Sequence, residues 1–157
     1  MPTFGNEVKQ EELETLRARI VREMYLERWL DVWFFPEANG VRGWQGIQDI
    51  MFVGLNPSTG RFPSEPDQFL YAQLIRNDFQ EAHLTDAIKC RGTASQVQNW
   101  LKDDDFLRQQ MDYLKEEISL TNPRLIVPVG QKCANLLRSR LGVEVAQRIE
   151  LVLPHYR

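Results

Sequence analysis

The stretch richest in groups able to do chemistry is Gly54-Leu55-Asn56-Pro57-Ser58-Thr59-Gly60. Two glycines and three polar side chains could cradle a phosphate, but a phosphate loop needs glycines five positions apart followed by Lys and Ser or Thr. Here the glycines stand six apart and Arg61 and Phe62 follow, so nucleotide triphosphatase chemistry is excluded. Taken alone, Asn-Pro and Ser-Thr-Gly are also ordinary turn chemistry. Ser58, His83 and Asp86 could be written as a nucleophilic triad, yet no Gly-x-Ser-x-Gly elbow presents the serine. Asp103-Asp104-Asp105 could suggest a cation site, but it stands directly before an apolar helical pattern, where aspartates cap the helix. The two cysteines, Cys90 and Cys133, are 43 positions apart and form neither a paired metal knuckle nor a disulfide framework. No metal and no cofactor is predicted.

The elements that must position these groups follow from the apolar periodicity. A long amphipathic helix is predicted over residues 10–35, where Leu13, Leu16, Ile20 and Met24 begin a stripe that drifts to Leu26, Trp29, Leu30 and Trp33. Pro36 ends it and a glycine-containing loop follows. Asp49–Gly54 is an unbroken apolar run, the signature of a strand buried on both faces. Further strands are predicted over Ala82–Lys89, Leu125–Gly130 and Ile149–Leu153, with helices over about Asp67–Asn77, around Leu107–Ile118 and over Gln131–Ser139. Strands alternating with helices predict an α/β fold: a three-layer α/β/α sandwich with a short four-stranded parallel sheet, preceded by the long helix. In such sheets ligands sit beyond the carboxyl ends of the strands, which is where the Gly54–Gly60 loop leaves the first strand.

In this setting the sequence resembles the uracil-DNA glycosylase superfamily. Asp49–Ser58, DIMFVGLNPS, looks like that superfamily's first motif, and its Asn form is similar to the mismatch-specific branch. Phe62-Pro63 and Asp67-Gln68-Phe69 look like that branch's phenylalanine loop and following helix. His83–Arg91, HLTDAIKCR, resembles the second strand of the iron-sulfur branch. Pro123–Leu137 is similar to the third strand and its glycine-led helix, and Leu153-Pro154-His155 sits where a strand leads to His-Pro-Ser. The resemblance covers Asp49–Arg157 and places a glycosylase-like core over residues 49–157 of a single domain, 1–157.

The resemblance implies hydrolysis of an N-glycosidic bond, releasing uracil or a related damaged or mismatched base from DNA. It assigns Asn56 to hold the attacking water and His155 to stabilise the leaving base, while Gly54, Leu55, Pro57, Ser58, Phe62 and Asp86 bind substrate. An amide holds water but cannot accept its proton, so slow turnover is expected. Phe62 is either a stacking platform for the base or a loop ring folded onto the core. Asp86 departs from the family's usual Asn. Ionised, it only accepts hydrogen bonds, which suits a base edge presenting donors better than that of uracil, or else it satisfies turn amides. The iron-sulfur branch's cluster needs four cysteines, so none is expected here. Only Tyr156 and Arg157 follow His155, where active relatives carry a loop that wedges into the duplex, so single strands, mismatches or free nucleosides are the expected targets. The alternative is a non-catalytic protein that keeps the fold and binds a nucleobase, a nucleobase-containing small molecule or nucleic acid.

Composition fits this reading without pointing to it. The chain has 157 residues, 43% hydrophobic and 26% charged, which suits one globular domain and excludes wholesale disorder. Nineteen basic against 22 acidic side chains give a net charge of −3, so no overall basic excess favours nucleic acid. No apolar run is long enough for a membrane helix and no signal-peptide pattern opens the chain, so a cytoplasmic protein without membrane contact is expected. The aromatics Trp29, Trp33, Phe34 and Phe35 either bind a partner or, as the better expectation, pack across the sheet domain. The oligomeric state is not written in the sequence.

Overall fold

A computed structural model describes residues 4–27, 31–57 and 60–154. Helix α1 (Phe4–Leu26) buries Leu13, Leu16, Ile20 and Met24, each 5% exposed or less. Their three- and four-residue spacing puts them on one stripe, and each contributes about 1.5–3 kcal/mol over an exposed position. That stripe lies on α4 (Asp104–Thr121), whose Leu107, Met111, Leu114 and Ile118 form the matching face.

The sheet contains β1 (Ile50–Gly54), β2 (His83–Asp86) and β3 (Leu125–Pro128), all parallel, in the order β2-β1-β3. Side chains alternate between its faces. Met51, Val53 and Ile126 join α1, α4 and α5 (Gln131–Arg140) in one core, while Ile50, Phe52, Leu84 and Val127 meet Tyr71 and Leu74 of α2 (Glu65–Arg76) in a second. Two cores on opposite faces make the three layers. Short α3 (Ala94–Trp100) and α6 (Val143–Ala146) complete the helices.

Two expectations are corrected. The fourth strand over Ile149–Leu153 is reduced to a single parallel bridge, Val129↔Leu153. The chain is tied to β3 only at the two ends of this stretch, by Ile126 N to Arg148 O at 2.9 Å and Leu153 N to Pro128 O at 2.9 Å, so no ladder forms between them. Proline also supplies no donor to extend the pairing. The long helix starts earlier and ends at Leu26 rather than near residue 35. Beyond it Val32 bridges Cys90 and Trp33 N donates to Lys89 O at 2.9 Å, so this segment is extended. Phe34 then joins the first core against Trp44, and Trp33 and Phe35 join the second, the period-two alternation of extended chain. Trp29 lies outside the described residues. Among the described residues, no helix is long and apolar enough to cross a membrane.

Helix ends carry the local signals that fix the loops. Ser64 and Asp67 form a reciprocal capping box at α2, and Thr93 and Gln96 form another at α3. Asp103 caps α4, its side chain accepting from Phe106 N at 3.1 Å, so the first of the three aspartates has a structural task. Asn122, at φ 46°, ends α4 in the left-handed conformation that Asn tolerates, and Pro123 blocks continuation.

Candidate active site

From central β1 the chain crosses outward to β2 over one face and then back past β1 to β3 over the other. The loops leaving β1 and β3 therefore part toward opposite faces and open a crevice at the carboxyl edge of the sheet. A cavity of about 830 Å³ occupies that crevice, within the size range of ligand sites. Gly54, Leu55, Asn56 and Pro57 form one wall, and Asp86 lies at the end of the adjacent strand. The opposite walls come from Gly92–Ala94 with Val97 of α3, and from Val129–Cys133 at the start of α5.

Asn56 is half-buried, and its side-chain NH2 donates to Pro57 O at 3.0 Å. The loop's own backbone thus orients the amide. Asp86 is 4% exposed and stands beside Gly54. A Cβ built on Gly54 would come within 2.5 Å of Asp86 Oδ1, so glycine here is what allows the carboxylate to lie against the end of β1. The connection after Asp86 stays in register with the loop after β1: Ala87 N donates to Gly54 O at 2.8 Å and Ile88 N to Leu55 O at 2.9 Å. The two strand tips are therefore fixed to each other, and with them Asn56 and Asp86.

Phe62 lies elsewhere. Its ring sits 5.3 Å from Tyr71 and 6.0 Å from Trp33 on the second core, outside the residues that line the cavity. Of the two placements open in the sequence, the ring takes the one folded onto the core. Ser58 and His155 lie outside the described residues. Leu153, two positions before His155, accepts from Gly130 N at 2.7 Å, and Gly130 lines the cavity.

The α3 and α5 walls were not foreseen as site residues. For α3 a sequence signal exists: Thr93-Ala94-Ser95-Gln96 is a capping-box pattern, and it opens the helix that closes the cavity. For α5 the signal is Gly130, whose φ of 93° lets the backbone turn sharply from strand into helix. Cys133 also lines the cavity but is not a nucleophile in waiting. Burial, then the Asp86 charge, pushes its thiol up to about 12, and its S–H donates to Val53 O at 3.3 Å. Burial likewise pushes Cys90 up to about 12. Two buried thiols do not fit a four-cysteine cluster, and among the described residues no group of three or more metal-ligating side chains gathers.

Hydrolytic chemistry needs a held water, a reader of the leaving group and a recess that excludes bulk solvent. Asn56 brings an amide and Asp86 a carboxyl group to the crevice between the diverging loops. No curated protein matches the chain. Residues 47–157 match the family model described as the Uracil DNA glycosylase superfamily, nearly the span over which the motifs show the resemblance.

Proposed function

The chain belongs to the uracil DNA glycosylase superfamily, and from that premise we propose that it hydrolyses the N-glycosidic bond of uracil or a related damaged or mismatched base in DNA. The observation that carries this reading is the shared cavity: Asn56, from the loop after β1, and Asp86, from the end of β2, face one recess at the sheet's carboxyl edge. In the reaction the C1′–N bond breaks and its electron pair leaves with the base. Water oxygen bonds to the oxocarbenium-like C1′ and its proton is released. Asn56 holds that water. As an amide it does not remove the proton, so the barrier falls chiefly through stabilisation of the departing base.

We assign that stabilisation to His155, donating to a base oxygen as negative charge grows there. Support comes from the resemblance of Leu153-Pro154-His155 to the family's second motif, inside the span that matches the family model. Asp86 reads the base edge as an acceptor. A carboxylate pairs best with an edge that presents donors, such as an exocyclic amino group, so the preferred base carries one. Single strands and mismatches are the preferred substrates because the base is already partly unstacked.

The experiment is base release from single-stranded and duplex oligonucleotides bearing uracil, mismatched bases and amino-bearing damaged bases. Release from a single strand or mismatch, faster than from intact duplex, supports the reading. Retained strand or nucleobase binding without release from any substrate replaces it with the non-catalytic binding function.

A further inference from the structure

Bonded to the backbone of Asp86 is a buried polar cluster that the glycosylase reaction does not itself call for. Glu117 of α4 is fully buried and accepts from Trp44 Nε1 at 2.7 Å, while His83 Nε2 lies 3.1 Å from the same oxygen. Its second oxygen lies 2.5 Å from Lys89 Nζ, and Lys89 is 1% exposed. Since a carboxylate only accepts, His83 carries its proton on Nε2. The Lys89 ammonium forms an ion pair with that second oxygen and donates to the Thr85 hydroxyl at 2.8 Å and to the backbone carbonyl of Asp86. Lys89 therefore reaches back over the tip of β2 and grips the residue whose side chain lines the cavity. Its own backbone N–H donates to buried Gln110 Oε1 at 2.8 Å, so the grip is anchored at both ends on α4.

We propose that Lys89, clamped by Glu117, is a positioning residue that holds Asp86 in register with Gly54 and so sets which base edge the cavity accepts. This rests on the reading of Asp86 as the group facing the base. Two buried charges are poor value for stability alone, because an apolar pair of the same shape often serves as well. Here the pair ends on the backbone of a cavity residue. An apolar replacement could fill the volume but could not bond the Asp86 carbonyl.

The test uses the full chain carrying Lys89→Met with Glu117→Gln, which removes both charges and leaves neither unpaired. Amide hydrogen exchange is read at Ala87 and Ile88, whose N–H groups bond Gly54 and Leu55, with Val129, bonded to Val53 at 2.8 Å, as reference. Exchange at Ala87 and Ile88 should quicken roughly tenfold with Val129 unchanged, since loss of a local tie opens a local unit rather than the whole fold. The ratio of release of an amino-bearing base to uracil should move to that of Asp86→Ala, and adding Asp86→Ala to the double variant should not move it further. Thr85→Val keeps both charges but removes one acceptor, and should quicken the same two amides by roughly threefold. That variant decides the matter if the double variant does not fold.

Wild-type protection at Ala87 and Ile88 in these variants, or a base ratio unmoved while Asp86→Ala moves it, overturns the proposal. If the wild type releases no base at all, the glycosylase reading fails by itself. The exchange measurement then still decides whether Lys89 holds the tip of β2.

Discussion

Replacing Glu117 with glutamine should be among the most destabilising single changes in this protein, and its size follows from the geometry. The substitution keeps shape but leaves the Lys89 ammonium, 1% exposed, without its counter-charge. At 2.5 Å the lost attraction is on the order of 7 kcal/mol for an effective permittivity of about 20. Desolvation already offsets part of that in the native pair, and breaking buried pairs on one side costs about 3–5 kcal/mol. Trp44 and His83 can still donate to the amide oxygen, which keeps the cost from rising further. Whole domains are stable by only about 5–15 kcal/mol, so the variant should remain folded but weakened. Equilibrium urea unfolding reads this directly: with a slope of about 2 kcal/mol per molar, a 4 kcal/mol loss lowers the midpoint by about 2 M. Removing both charges with Lys89→Met and Glu117→Gln should recover most of the loss. Asp105→Asn, at a pair whose side chains are 70% and 93% exposed, should change stability by less than about 0.5 kcal/mol. A Glu117→Gln midpoint equal to wild type would show that the pair is not held as described.

Acid should reveal the same cluster. Burial would raise the Glu117 carboxyl, but the Lys89 charge and the His83 contact outweigh it and hold it at about 2 against an ordinary 4.5. Its stabilisation is therefore complete above pH 4.5 and lost as pH falls toward 2, and acid unfolding followed by circular dichroism should shift to higher pH in Glu117→Gln. Gly54→Ala should fold but displace the Asp86 carboxylate, whose oxygen lies 2.5 Å from the new methyl position, and lower base release at least tenfold by kcat/KM, about 1.4 kcal/mol. Asp86→Asn restores an amide that both donates and accepts, and should shift the preference toward uracil in a competition between oligonucleotides. Gly46→Ala should destabilise without any effect on base preference, because its Cβ would come within 2.1 Å of the Ala82 carbonyl oxygen, as urea unfolding will show.

How far these features can be read from the sequence depends on how local their causes are. The unbroken run of β1 and the 3.6-residue stripe of α4 are set by neighbouring residues, and both stand where the pattern predicts them. The loop after β1 and the end of β2 are likewise legible, because a parallel sheet delivers both to one edge. The end of α1 is not, since aromatics at Trp33–Phe35 fit a helix stripe and an extended strip equally well until their partners Trp44 and Tyr71 are in place. Ile149–Leu153 has strand composition, but pairing depends on β3 offering a continuous edge, and Pro128 lies on it. His83 falls in the predicted strand Ala82–Lys89, but its full burial is not legible there, because its partner Glu117 comes 34 positions later. On α4 itself Gln110 and Glu117 are buried within an apolar face, and only the tertiary partners Lys89, His83 and Trp44 explain them.

The central claim, that the cavity at the carboxyl edge hydrolyses a glycosidic bond with Asn56 holding the water, is tested most directly by single-turnover base release. Wild type and Asn56→Ala are compared on one single-stranded oligonucleotide at saturating protein, with strand affinity measured in parallel. The account predicts a fall in the release rate of about a hundredfold or more with affinity nearly unchanged, since a held water matters mainly at the transition state. Equal release rates in the two proteins would contradict it.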